Sequence, residues 1–312
     1  MFSGSEEALA KQVISKLRSY IGMREVEIFN PPKIVTLVAF DQKEVQYAVL
    51  ARLDQRGASI RFAVPYEDKK YDLSDAETLY VIKEMEEGRD EGISRITVPL
   101  PGFIKNNRNI YQPVILTEIS HFTQPDGKPA ETALDMIVYP YVTGIRLDDY
   151  CSALVGNKLA LEIILKLAVN ICATGAHLEE YHQKLLAENN FSGMPGLWDI
   201  RADNMIVNGG NVVFIDYCQM RTNPHRNFAY MILSCLQHAA GINPRIATFK
   251  TSDQDCADAL NANVYESVSS DLKNEVRELL KEFNTGKLTF ADGEKKFQAL
   301  LTQFGKRQKL EM

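Results

Sequence analysis

The segment Asp199-Ile200-Arg201-Ala202-Asp203-Asn204, with Asp216 twelve residues beyond Asn204, constrains this chain more than any other stretch. Between Asn204 and Asp216 lie an apolar run, the turn Asn208-Gly209-Gly210-Asn211 and a second apolar run. That pattern predicts a β-hairpin. A hairpin brings its ends together, so Asn204 and Asp216 are expected side by side, with Asp199 on the loop leading in. Two carboxylates and an amide are hard oxygen donors, suited to a magnesium ion that also holds phosphates. Asp-rich loops beside hairpins also act as turns and caps, and that reading needs no ligand.

The 312 residues exceed one ordinary domain and suit a two-lobed protein. A net charge of -6 argues against a nucleic-acid surface. Five cysteines, Cys151, Cys172, Cys218, Cys235 and Cys256, are widely spaced and form no CxxC pair. They read as reduced, mostly buried thiols rather than a disulfide framework or a zinc site. No apolar run approaches the roughly 20 residues of a bilayer span, so no transmembrane segment is expected. The first residues lack a secretory n-region. The expected compartment is the cytoplasm, or another cell's cytosol after delivery.

The amino-terminal third reads as a small sheet with helices. Residues 6–21 carry Leu9, Val13, Ile14 and Leu17 on one helical face, ahead of Gly22. Ile34–Phe40, Val45–Leu53 and Ser59–Val64 are expected strands. Ser74-Asp75-Ala76-Glu77 opens an expected helix to about Glu87, and Val114–Ile119 and Asp135–Tyr139 are two more strands. Ser74 and Glu77 also fit a capping box, which alone accounts for that glutamate.

Further on, a long helix is expected over about Lys158–Asn189, with Ile163, Ile164, Leu167, Ala168, Ile171 and Cys172 on its apolar stripe. His177 and His182 on it are five residues apart, which points them away from each other and argues against a shared zinc ion. Trp198, the single tryptophan, reads as packing beneath the loop or as part of a substrate surface. Glu275–Phe283, stopped near Gly286, and Phe290–Phe304, ending at Gly305, read as amphipathic helices.

Asp199, Asn204 five residues on, and Asp216 across the hairpin resemble the catalytic loop and metal-binding segment of the protein-kinase-like superfamily. The run from Asp135 through Tyr139-Pro140-Tyr141 to Gly144 is similar to the fifth strand and hinge of aminoglycoside and choline kinases. With Asn227-Phe228-Ala229 opening a helix and no Ala-Pro-Glu anchor, the resemblance is nearest that branch, or an effector-like atypical kinase. It implies an α+β, bilobal fold with a small β-rich N-lobe and a mainly helical C-lobe. Residues 1–138 would form the N-lobe (an N-terminal helix, a five-stranded sheet and one helix), 139–147 the hinge, and 148–312 the C-lobe.

The resemblance also implies an activity: transfer of the γ-phosphoryl of ATP, with Mg2+, to a hydroxyl acceptor. Asp199 would orient or deprotonate that hydroxyl and Arg201 steady the phosphate. Asn204 and Asp216 would hold the metal. Arg61 would stand in for the usual strand lysine, Glu77 would be its helix partner, and Tyr139 and Tyr141 would line the adenine. Three departures stand beside this: Arg61 for a lysine, no glycine in Val35–Tyr47, and Trp198 where a histidine is usual. They leave open a pseudokinase that binds without efficient transfer, or a kinase fold used for nucleotidyl transfer. The implied partners are a nucleotide and an acceptor that is a small molecule, a lipid headgroup or a protein.

Overall fold

The computed structural model describes Ser15 and residues 26–39, 44–55, 58–67, 79–84, 114–123, 129–189, 200–215, 224–243 and 252–308. The architecture is α+β, and the chain divides into two compact units. One comprises Met1–Pro101 and Tyr111–Thr143, the other Gly102–Ile110 and Gly144–Met312.

The amino-terminal unit is built from β-branched and aromatic runs. Its strands are β1 (Glu27–Ala39), β2 (Glu44–Gln55), β3 (Ala58–Pro65), β4 (Tyr80–Glu84), β5 (Val114–Thr123) and β6 (Pro129–Pro140). All neighbours are antiparallel, in the order β1-β2-β3-β4-β6-β5. Val38 pairs with Thr117 and Ala39 with Leu116, so β1 meets β5 and the sheet closes into a barrel. The closing contact is short, two residue pairs at the end of β1. Pro31 and Pro32 fall inside β1, where its register with β2 shifts between Ile28 and Lys33. Proline has no N–H for the ladder, so the strand bulges there. One face of the barrel buries Leu37, Tyr47, Val49, Ala63, Ile82, Met136 and Val138.

This unit differs from the sequence expectation at β4. Residues 80–84 form a strand where the helix from Ser74 to about Glu87 was expected, and the sheet has six strands rather than five. The reason is tertiary. Ile82 pairs with Arg61 of β3 on one side and Val138 of β6 on the other, and its side chain is fully buried. Tyr80-Val81-Ile82 is aromatic and β-branched, and pairing on both sides overrides the helix-start signal upstream. Glu77 lies outside the described residues, as do residues 6–21 apart from Ser15, which is helical and exposed.

The second unit centres on a 30-residue helix, α2 (Ala160–Asn189), close to the expected span. It is preceded by β7 (Ile145–Arg146) and α1 (Leu147–Ser152). A 3-10 turn (Ala202–Asn204), β8 (Met205–Asn208) and β9 (Asn211–Phe214) follow. The remaining helices are α3 (Pro224–Ala239), α4 (Asp253–Leu260), α5 (Ser270–Asn284) and α6 (Phe290–Gln308), with a 3-10 turn at Asn263–Tyr265. Ala160–His177 is by length and composition apolar enough to cross a membrane. In this structure its Leu161, Ile164, Leu165, Ala168, Ile171 and Cys172 are buried in the core of the unit.

Helices α3, α5 and α6 meet through a cluster of phenylalanines packed at tilted and edge-to-face angles. Phe228 lies 4.5 Å from Phe283, 5.5 Å from Phe290 and 6.0 Å from Phe297, ring centre to ring centre. Two glycines admit these rings. A Cβ at Gly175 of α2 would lie 2.7 Å from the Phe290 ring, and one at Gly293 of α6 would overlap Phe283. Beside the cluster, Glu179 Oε1 is 2.7 Å from His225 Nε2, and its Oε2 accepts the Phe290 amide at 3.4 Å. Helix α6 runs through Gly305 to Gln308, where the sequence reading ended it at Gly305. Glycine costs a helix only about 1 kcal/mol, and Phe304 one residue earlier still packs on the core. Cys151, Cys172, Cys235 and Cys256 are free and buried, while Cys218 lies outside the described residues.

Candidate functional site

The expected hairpin forms in the expected register. Met205 pairs with Phe214 and Asn208 with Asn211, and the turn between them is made by Gly209 and Gly210 at φ 56° and 87°. Positive φ at both central residues suits the right-handed twist of a two-residue hairpin, and glycine reaches it without a Cβ clash. The open end of the hairpin closes through one bond: the Ile215 amide donates to the Asn204 carbonyl at 3.1 Å. Asn204 in turn donates its amide to the Arg201 carbonyl at 3.1 Å, which winds residues 202–204 into the 3-10 turn. The far end is pinned to α2. Asn170 Oδ1 accepts the Val212 amide at 2.9 Å, and its Nδ2 is 3.5 Å from Asn211 Oδ1.

Strand β7 adds a third member to this small sheet. Ile145 pairs with Val207 and Arg146 with Ile206, which delivers Arg146 to the side of the 3-10 turn. Gly144 permits the approach. It adopts φ 148°, and a Cβ there would overlap the Val207 carbonyl oxygen and come 2.6 Å from Ile206 Cγ2.

Two arginine–aspartate pairs result, each spaced i to i+2. The Arg201 guanidinium donates to both oxygens of Asp203, at 2.9 Å from Nε and 2.7 Å from Nη2. Arg146 Nε donates to Asp148 Oδ1 at 3.1 Å, and its Nη2 pairs with Asp148 Oδ2. Burial opposes the Arg146 charge, yet Asp148, Asp149 and Asp203 outweigh it and hold the guanidinium above its ordinary pKa. With the face of α3 that carries Tyr230, Met231, Ser234 and His238, and with Ala202 and Asn243, these pairs line an open pocket of about 200 Å³. Burial pushes the Tyr230 phenol up, against the opposite pull of Arg201. Burial lowers the His238 pKa, so the ring is neutral, and its Nδ1 is 3.1 Å from Ser152 Oγ.

Several residues of the sequence reading are placed by this geometry. Arg201 and Asn204 lie three apart around the 3-10 turn, and Ile215, bonded to Asn204, immediately precedes Asp216 in the chain. Asp199, Asp216, Trp198 and Glu77 lie outside the described residues. Arg61 lies on β3, half-buried, opposite Arg52 on β2 and Ile82 on β4. Tyr139 pairs with Val81 in β6. The Tyr141 amide donates to the Leu79 carbonyl at 2.7 Å, and its ring is buried 6.2 Å from Phe62, edge to face, so that amide is engaged within its own unit. Among the described residues, no group of three His, Cys, Asp or Glu side chains forms a metal cluster.

The sequence reading missed Arg146, Asp148, Asn170, Tyr230, Ser234 and His238. A signal for the first two was present. Ile145-Arg146-Leu147-Asp148 repeats the pattern of Ile200-Arg201-Ala202-Asp203, fifty-five residues away. For the α3 residues, the i, i+4, i+8 spacing of Tyr230, Ser234 and His238 marks one helix face but names no partner.

The chain is similar to two solved pseudokinase structures. One is the Neurospora crassa PAN3 pseudokinase, at 11% identity and a TM-score of 0.48 over 99% of this chain and 72% of that one. The other is the pseudokinase PEAK1 (Sugen Kinase 269), at 11% identity and a TM-score of 0.44 over 95% of this chain and 77% of that one. No protein-family model matches the chain, and no curated protein matches it either.

Proposed function

We propose that this chain is a divergent kinase-like phosphotransferase, moving the γ-phosphoryl of a nucleoside triphosphate to a hydroxyl. The observation that carries the reading is the closed hairpin end, where the Ile215 amide bonds the Asn204 carbonyl. It draws the chain on either side of the hairpin together, as the Asn204–Asp216 spacing requires. Asn204 and Asp216 supply an amide and a carboxylate oxygen, the hard donors that suit Mg2+, which when bound would offset the negative charge of the phosphates.

The chain's own groups supply positioning and charge. Asp199 would accept a hydrogen bond from the acceptor hydroxyl and take its proton. Arg201 would stabilise charge on the transferring group. For that, its guanidinium exchanges or shares the Asp203 carboxylate, and the pair is 40% and 35% exposed, where such an exchange costs about 1 kcal/mol or less. Arg61, Glu77, Tyr139 and Tyr141 are proposed nucleotide contacts.

A second reading, a nucleotide-binding pseudokinase, is favoured by β4. Residues 80–84 form a strand where a kinase-like helix carrying a glutamate partner was expected. The two are separated by one series: thermal unfolding with Mg2+ and ATP on wild type and Asp216→Ala, then mass spectrometry of the products. A ligand at about 100 times its dissociation constant adds roughly 2.7 kcal/mol. A magnesium-dependent rise lost in Asp216→Ala, with phosphorylated product lost in Asp199→Ala, supports transfer. A rise without product supports the pseudokinase, and no rise with any nucleotide rejects both.

A further inference from the structure

Ser152 and His238 meet where the ends of α1 and α3 come together, and their contacts fix which atom carries which proton. Ser152 Oγ lies 2.9 Å from the Asp148 carbonyl, one turn back on α1. A carbonyl only accepts, so the serine proton is committed to that bond. A hydroxyl has one proton. The 3.1 Å contact of the same Oγ with His238 Nδ1 therefore has Nδ1–H as donor and the serine oxygen as acceptor. Burial, aided by Arg146, lowers the His238 pKa against the opposite pull of Asp148 and Asp149, so the ring is neutral. A neutral imidazole has one N–H. With Nδ1 protonated, Nε2 carries a lone pair.

The fold turns that lone pair toward the open pocket. His238 is among the residues that line it, and Ser152 is not. The Nδ1 edge of the ring faces Ser152, which leaves the Nε2 side for the pocket. Among the described residues Nε2 has no hydrogen-bond partner. A ring nitrogen in this state accepts a hydrogen bond and takes a proton, but it has none to donate. The group it matches on a ligand is an O–H or N–H. An ether oxygen or a fully ionised phosphate oxygen at the same place would set lone pair against lone pair.

We propose that His238 Nε2 is the hydrogen-bond acceptor for an O–H or N–H group of a ligand in this pocket. Ser152 is the positioning residue that holds the ring as the Nδ1–H tautomer. That the donor is the hydroxyl of a phosphoryl acceptor rests on the function proposed above; the tautomer and the binding do not.

The test is NMR on the full chain with isotope-labelled histidine, near neutral pH and without nucleotide. Long-range proton–nitrogen correlations report which ring nitrogen of each histidine bears the proton. The His238 signals are identified by their loss in His238→Gln and, whether or not that variant folds, through the residue's own backbone resonances. The expected result is the Nδ1–H form in wild type and a shift toward Nε2–H in Ser152→Ala. Ser152 is exposed, so the variant should keep its circular dichroism. The probes are myo-inositol and glycerol phosphate for O–H donors, propylamine for an N–H donor, and dioxane, which has no donor. At least one donor probe should move the Nε2 resonance in a saturable way, with affinity several-fold weaker in Ser152→Ala, while dioxane does not. Which probe does so separates an O–H from an N–H ligand. A proton on Nε2 in wild type, an unchanged tautomer in Ser152→Ala, or no saturable shift with any donor probe overturns the proposal. A hydroxyl probe that binds at Nε2 but is never phosphorylated with Mg2+ and ATP upholds the His238 assignment and counts against the phosphotransferase reading.

Discussion

Asp203 accepts two hydrogen bonds from the Arg201 guanidinium, at 2.9 Å and 2.7 Å, two residues away along the same 3-10 turn. The arginine offered by sequence as a phosphate ligand is thus matched by a carboxylate at rest. Both side chains are more than a third exposed, so the pair contributes little to folding. Asp203→Ala is expected to shift stability by about 1 kcal/mol or less, read as the urea midpoint. A loss above about 2 kcal/mol would mean that the pair is a structural clamp rather than an exchangeable one.

Gly144 is expected to tolerate no side chain. Its φ of 148° and the overlap of any Cβ with the Val207 carbonyl both oppose substitution. Backbone strain of this kind costs about 1–3 kcal/mol. Gly144→Val should destabilise by at least that amount, read from the unfolding midpoint, and speed amide exchange at Ile206 and Val207, the partners of β7. Unchanged exchange would show that β7 does not depend on this close approach.

The hydroxyl of Tyr265 is buried and donates to the Leu236 carbonyl at 2.9 Å, tying the 3-10 turn at Asn263–Tyr265 to α3. Tyr265→Phe removes the donor and keeps the ring, leaving the Leu236 carbonyl with the Ala240 amide alone. A loss of about 0.5–1.5 kcal/mol is expected in denaturant unfolding. A neutral result would show that the Ala240 amide satisfies this carbonyl by itself.

Alkaline pH should weaken the carboxy-terminal unit. Burial pushes the Cys256 thiol from 9.0 up to about 12. Above pH 9 the unfolded chain loses this proton while the folded one keeps it, so the unfolded state binds fewer protons and stability falls as pH rises toward 12. The slope approaches about 1.4 kcal/mol per pH unit for one such group. Urea midpoints from pH 8 to 11 should decline, and Cys256→Ala should flatten the decline. An equal slope in the variant would assign it to other groups.

Gly293→Ala probes how closely α6 approaches its neighbours. The new methyl would overlap the Phe283 ring and lie 3.3 Å from Cys172 Sγ. Overpacking of this kind costs about 1–3 kcal/mol. Calorimetry should show that loss, whereas a gain from the better helix former would show that the phenylalanine cluster gives way.

Much of the carboxy-terminal unit is legible in the sequence because its signals are local. The Asn-Gly-Gly-Asn turn between two apolar runs specifies the hairpin, and period 3.6 over Ile164, Leu167, Ala168 and Ile171 specifies α2. The amino-terminal unit is less legible. Ser74-x-x-Glu77 is a sound helix-start signal, but residues 80–84 are paired on both sides by strands that are distant in sequence. The extension of α6 past Gly305 was hidden because a helical glycine costs only about 1 kcal/mol, too little to stop a helix by itself.

The sequence alone determined the hairpin and the spacing of Asp199, Asn204 and Asp216 around it, because covalent order and turn chemistry act over a few residues. Only the tertiary structure decided what surrounds Arg201. The twin pair Arg146–Asp148, carried in by β7, lies 55 residues upstream of Arg201, and the Tyr230, Ser234 and His238 face of α3 lies 29 to 37 residues downstream. Such groups meet because burying the α2 and α3 core forces their elements together. No local pattern encodes that contact.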